Sequence, residues 1–206
     1  MRIPVVNESR EQAVTDMLSQ EERPQRADAR RNRQRILESA REVFSEAGAD
    51  AQIDDVAHRA GVGVGTVYRH FPTKEALLSE LVREKFRLLS QAAREALMRS
   101  GEPFQILTDL LRENATKLGR DAAMQQALAG AGDQIWIHAA AEQEELVELT
   151  AELVARAHAT GSIRADATAI DIGMLMCGLC ATMAHPTRGF DWHRHLELII
   201  DALRPR

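Results

Sequence analysis

Apolar residues return along this chain every three or four positions and rarely alternate, so the pattern predicts helices from end to end. Ile36, Ala40, Val43, Phe44 and Ala47 form one stripe that stops at Gly48, placing a first helix over about Asp28 to Ala47. Ile53, Val56, Ala57 and Ala60 then fall at i, i+3, i+4 and i+7. Asp54 and Asp55 suit the positive end of that helix dipole, and Gly61 can supply the left-handed turn that closes it. Val67 and Phe71 share a second short stripe. Thr66, Tyr68, Arg69 and His70 point largely the other way, and Pro72 prevents continuation. Thr73 is a suitable cap for a long helix reaching about Arg99, with Leu78, Leu81, Val82, Phe86, Leu89, Ala93 and Ala96 turned inward. At 1.5 Å per residue such a helix is roughly 40 Å long. Gly101 and Pro103 mark its end.

The second half continues in the same period. Phe104, Leu107, Leu111, Ala115 and Leu118 predict a helix closed near Gly119, and Asp121 is placed to cap a shorter one holding Met124 and Leu128. Gly130-Ala131-Gly132 is a break. From Asp133 to about Ala159 the pattern is helical, as one helix or two, until Gly161. Ala167 to Ala184 is the most apolar segment, with Asp171 its only charge between Ala169 and Ala184. A helix apolar nearly all round is buried on more than one side. His185-Pro186 breaks it, and Asp191 can cap a last helix carrying Leu196, Ile199, Ile200 and Leu203. Before the first helix, residues 1–27 carry Pro4, Pro24, scattered charge and the small apolar cluster Ile3-Val5-Val6, which predicts a mobile arm.

Composition sharpens this. The 206 residues are 45% apolar but only 4% aromatic, so the interior must be aliphatic and alanine-rich. The fold class expected is all-α. A net charge of −5 argues against bulk coating of nucleic acid, but it is unevenly spread: residues 101–206 carry −6 and residues 1–100 carry +1. Seven arginines lie between Arg23 and Arg41 against Asp28 and Glu38. A basic patch on an acidic body suits specific DNA binding. No run of about 20 apolar residues could span a bilayer and no signal-peptide pattern opens the chain, so a cytoplasmic protein without membrane attachment is expected. Two cysteines do not make a disulfide framework. Cys177 and Cys180, near His185, are too few for a zinc knuckle and read as packing residues; no metal and no cofactor is expected. Nor does any nucleophile elbow, phosphate loop or metal-ligand set point to an enzyme.

Two short helices joined through Gly61 form the helix-turn-helix pattern, whose second helix enters the major groove. Here the run Gly61 to Leu78 (G-V-G-V-G-T-V-Y-R-H-F-P-T-K-E-A-L-L) resembles the DNA-binding signature of the TetR family of bacterial transcription regulators. The likeness extends upstream through Arg33-Gln34-Arg35-Ile36-Leu37, Ala40, Phe44, Gly48, Val56 and Ala57. It implies a helix-turn-helix head over 28–74 and an effector-binding and dimerisation domain over 75–206. It also implies base-edge contacts from Val64, Gly65 and Arg69, and phosphate contacts from Thr66, Tyr68, His70 and Lys74. The chain departs from the family pattern at Gly63, a cap without a side-chain acceptor, and at Asp54-Asp55, where some members carry a cation or hydroxyl.

The resemblance further implies a homodimer through the last two helices, with Met176, Leu179 and Met183 on one and Leu196, Ile199, Ile200 and Leu203 on the other. It implies a small-molecule pocket in the second domain, for which Phe104, Met124, Trp136, His138, Met174 and Cys177 are the lining candidates, suited to an apolar effector. The function expected is a repressor released from a palindromic operator by that effector. The alternative is a DNA-organising or division-linked protein of the same fold without a small-molecule inducer.

Overall fold

The computed structural model describes residues 8–184 and 189–205, with the backbone alone for 8–27 and 122. Ten α-helices and one 3₁₀ turn make up the regular structure, and there is no strand among the described residues. The predicted Ile3-Val5-Val6 cluster and the His185-Pro186 break lie outside them.

The first helix, α1, runs Glu8–Ala47 and so begins twenty residues before the predicted start near Asp28. The sequence reading gave weight to Pro24, whereas the flanking Glu, Gln, Ala, Met and Leu are strong helix formers on both sides of it. A 3₁₀ turn at Gly48–Asp50 leads into α2 (Ile53–Ala60) and α3 (Val64–His70). Gly61 takes φ 63°, the left-handed turn foreseen. Thr73 caps α4 (Lys74–Leu97) by accepting from the Ala76 amide at 3.1 Å. Pro103 opens α5 (Pro103–Gly119), with the Glu102 carboxylate accepting from the Phe104 and Gln105 amides. Asp121 precedes α6 (Ala122–Gly130), but its carboxylate accepts no capping bond there. The open question over 133–159 resolves as two helices, α7 (Gln134–Ile137) and α8 (Ala140–Ala159). Thr168 and Asp171 close a reciprocal capping box on α9 (Ala169–Met183), and Asp191 accepts from the His193 and Arg194 amides to cap α10 (Trp192–Ala202).

Two cores result. The first gathers Ile36, Ala40 and Phe44 of α1, Val56 of α2, Val67 of α3 and Leu77 and Val82 of α4. It also takes in Met124, Ala127 and Leu128 of α6 and Ile135 of α7, so the head is completed by helices from the second half. The second core is built from the far end of α4 with α5, α8, α9 and α10. Helix α4 serves both.

Charge joins the helices at the seam. The Glu80 carboxylate is nearly buried and accepts from Arg33 of α1 (2.9 Å) and from Arg83 (3.3 Å) and Arg87 (3.2 Å) of its own helix. Both of those arginines reach Glu142 of α8, each at 2.9 Å. Burial works against charge at Glu142, but the arginine hydrogen bonds outweigh it and hold the carboxyl below its ordinary range.

Candidate nucleic-acid interface and effector cavity

The second helix of the helix-turn-helix is positioned from below. Val67 is fully buried among α1, α2 and α4, and Phe71 behind it is capped by the Arg33 guanidinium, 5.1 Å from the ring centroid. That anchoring turns the opposite side to solvent. Arg69 and Gly65 are exposed, Tyr68 is 46% exposed, and Val64, Thr66 and His70 are half-buried. Arg69 has no carboxylate or hydrogen-bond partner among the described residues. A guanidinium left free on the outer side of this helix is placed to reach a base edge or phosphate.

Gly63 and Gly65 add a separate argument. A Cβ built on either meets no atom within 4 Å, and neither has positive φ. Nothing inside the protein therefore requires glycine at either position. Both positions face open space, where an outside surface can approach the backbone closely.

Lys74 is placed differently from the expected phosphate clamp. Its Nζ donates to the carbonyl oxygens of Ala49 (3.2 Å) and Ala51 (2.7 Å) and lies 5.4 Å from the Phe44 ring centroid. It therefore ties the 3₁₀ turn to the start of α4, leaving one of its three N–H groups for another acceptor. Lys74→Met, which keeps the stem, is expected to lose about 1–2 kcal/mol of stability in urea denaturation, two charge-assisted bonds discounted for partial exposure. The salt dependence of operator binding should change by less than one phosphate equivalent. Unchanged stability together with a full-phosphate drop in slope, about 0.9 in log–log form, would reverse that assignment.

The basic run also does not all reach outward. Arg33 is drawn to Glu80 and Arg41 to Glu84 (2.5 Å), while Arg30, Arg31 and Arg35 remain on the exposed side of α1. Sequence reasoning could not find these partners, which lie more than forty residues away.

Between α1, α4, α5 and α6, at the seam of the two cores, lies a cavity of about 440 Å³. Its wall mixes apolar side chains, including Leu81, Leu89, Leu118, Met124 and Leu128, with polar and charged ones, including Arg41, Lys85, Asn114 and Asp121. Of the six lining candidates only Met124 borders it. Phe104 is buried in the second core beneath the Arg204 guanidinium, and Trp136 packs edge-on against Phe86. His138 Nδ1 lies 3.4 Å from Ser79 Oγ, and Met174 and Cys177 face outward on α9.

Most residues expected at the dimer interface pack inside the subunit. Leu179, Met183, Leu196, Ile199, Ile200 and Leu203 are all buried within the subunit, and Met176 packs against the second core. The outward side of α9 instead presents Ile170 (63% exposed), Met174 (61%), Cys177 and Ala181, with Gly173 and Gly178 between them. Burial pushes the neighbouring Cys180 thiol up from its ordinary range, which disfavours the reactive thiolate. Among the described residues no group of three or more His, Cys, Asp or Glu could hold a metal ion, and no helix is long and apolar enough to cross a membrane.

Comparison with known proteins places this architecture. Residues 36–81 match the family of bacterial regulatory proteins of the tetR type, and residues 102–205 match the C-terminal domain of SbtR-like transcriptional regulators. The chain belongs to the TetR family. It is a helix-turn-helix transcription regulator, and its two matched regions correspond to the head and the body described above. It is 34% identical over 139 residues to the HTH-type transcriptional repressor KstR of Mycobacterium tuberculosis, 66% of this chain and 63% of that protein. KstR of Mycolicibacterium smegmatis is 30% identical over 138 residues, 66% of this chain and 68% of that protein. A TetR transcription regulatory protein from Mycobacterium vanbaalenii superposes with TM-score 0.61 at 34% identity, covering 88% and 99% of the two chains.

Proposed function

We propose that this TetR-family chain is a repressor that pairs two-fold, reads a palindromic operator in the cytoplasm and releases it when a small, mostly apolar molecule fills the seam cavity. The observation that carries the DNA-reading part is the outer side of α3, where Arg69 stands unpaired beside two glycines that the protein's own packing does not demand. Arg69, Val64 and Gly65 meet base edges. Thr66, Tyr68 and His70 hold phosphates, and Lys74 contributes at most its one remaining N–H. The outward stripe of α9, from Ile170 through Met174 and Cys177, meets a second copy, and Gly173 and Gly178 let the two backbones approach. Repression follows the relatives: the KstR proteins are named transcriptional repressors. The cavity supports a ligand switch because its wall includes both α1 of the head and α5 of the body.

The test is an operator selected from random DNA and then substituted base by base. Arg69→Ala is expected to relax preference at one position per half-site by about 1–3 kcal/mol, about 5- to 150-fold in anisotropy titrations. Tyr68→Phe should weaken all variants alike. Uniform loss for Arg69→Ala at every position would remove its reading role.

A further inference from the structure

Two polar side chains of the seam cavity are left unanswered by the fold: Asp121, whose Oδ1 is buried without a hydrogen bond among the described residues, and Asn114. Asn114, in the middle of α5, is only 8% exposed and borders the cavity, yet its carboxamide has no hydrogen-bond partner among the described residues. The other buried carboxamide of that wall has a partner for its oxygen: Gln125 Oε1 accepts from Lys85 Nζ at 2.9 Å. A nearly buried amide without a protein partner is unfavourable unless water or a ligand answers it, and Asn114 borders a cavity from which either can do so.

The charges around the cavity narrow what that partner can be. Arg41 is held by Glu84, and Lys85 by Gln125 and by the Trp136 ring, 5.9 Å from its Nζ. Lys117 and Glu95 are exposed, with opposite signs, and Asp121 adds a second carboxylate. The Oδ1 of Asp121 is buried on this wall without a hydrogen-bond partner among the described residues, so the uncompensated charge there is negative and works against an anion. The α4 wall, Leu81 to Glu95, extends roughly 20 Å at 1.5 Å per residue, which suits an elongated or fused-ring body.

The geometry points to a ligand without negative charge, with an apolar body and one hydroxyl or carbonyl oxygen set against Asn114, so that Asn114 selects for oxygenation within the effector site. This deepens the repressor reading of the cavity and rests on it. An amide donates and accepts, so it serves a hydroxyl and a carbonyl equally, while the leucines and Met124 take the rest of the molecule.

Naphthalene, naphthol and naphthoate are matched probes for equilibrium dialysis against the full-length protein. Wild type should bind naphthol about three- to tenfold more tightly than naphthalene, one net hydrogen bond, and naphthoate more weakly than naphthol. Asn114→Leu should erase the naphthol preference while naphthalene binds as well or better, and Leu118→Trp, which fills the cavity, should abolish all three. Asn114→Ala serves as a second variant should the leucine fail to fold. Equal binding of naphthol and naphthalene by wild type, binding of neither, or a preference that survives both Asn114 variants overturns the proposal. Operator release is read separately. A compound that frees the operator equally from wild type and Asn114→Leu leaves the repressor reading standing and removes only Asn114's role. Full occupancy of the cavity without any change in operator affinity removes the reading on which the proposal rests.

Discussion

Phe44→Ala is expected to lower the unfolding free energy by about 3–5 kcal/mol, a large share of the 5–15 kcal/mol typical of a folded protein. Phe44 is fully buried in the first core, where α1, α2, α3, α4 and α6 all contribute side chains. A void at such a crossing cannot be closed by shifting one helix, because each neighbour is held by others. The Lys74 ammonium over the ring would lose its aromatic face as well. The cost should therefore fall in the upper part of the range for this change. Urea denaturation followed by circular dichroism measures it. A loss under about 1.5 kcal/mol would mean that the head collapses into the space and is far more plastic than its packing implies.

The other large effect is expected at Gly48→Val. Gly48 sits at φ 58°, a conformation that a β-branched residue adopts only with strain of about 1–2 kcal/mol. Its position adds crowding: a Cβ there would lie 3.3 Å from the Ala123 carbonyl oxygen at the start of α6. The substitution pushes the 3₁₀ turn of the head away from the body at the place where they touch, and about 2–4 kcal/mol of stability should be lost. If the backbone there is adaptable, Gly48→Ala and Gly48→Val will lose equally little. A wide gap between them in thermal unfolding shows that the helix α6 contact, and not φ alone, sets the requirement.

What could be read from the sequence was what is decided locally. The ends of α2 and α3 follow from Ile53-x-x-Val56-Ala57-x-x-Ala60, Gly61 and Pro72, all acting within a turn of where they stand. Thr73 and Asp191 act as caps for the same reason, and the weak cap at Gly63 is a property of one residue. Residues whose role depends on distant chain were not legible. Lys74 looks like a phosphate ligand until Ala49 and Ala51, more than twenty residues earlier, offer their carbonyls. Helix α9 shows the difficulty most plainly. A segment apolar on every side gives no phase, so nothing in its sequence tells that Leu179 faces in and Met174 faces out. The pocket candidates that lie away from the cavity share this ambiguity: Phe104 and Trp136 are large and apolar, but so are ordinary core residues. Asn114 could have been singled out, since a carboxamide among leucines is the less ordinary residue.

Met124, Leu128 and Leu81 have a double membership: they line the seam cavity and they belong to the interior of the DNA-reading head. An occupant of the cavity therefore has no distance to act across. It changes the packing partners of side chains on which the head's own cohesion depends, and the two free energies are linked reciprocally. An occupant that favours one packing of that wall over another shifts the head toward it, and the head shifts the occupant's affinity by the same factor. A head made rigid by operator will in turn accept the occupant less or more readily, with sign and size set by that single shared wall.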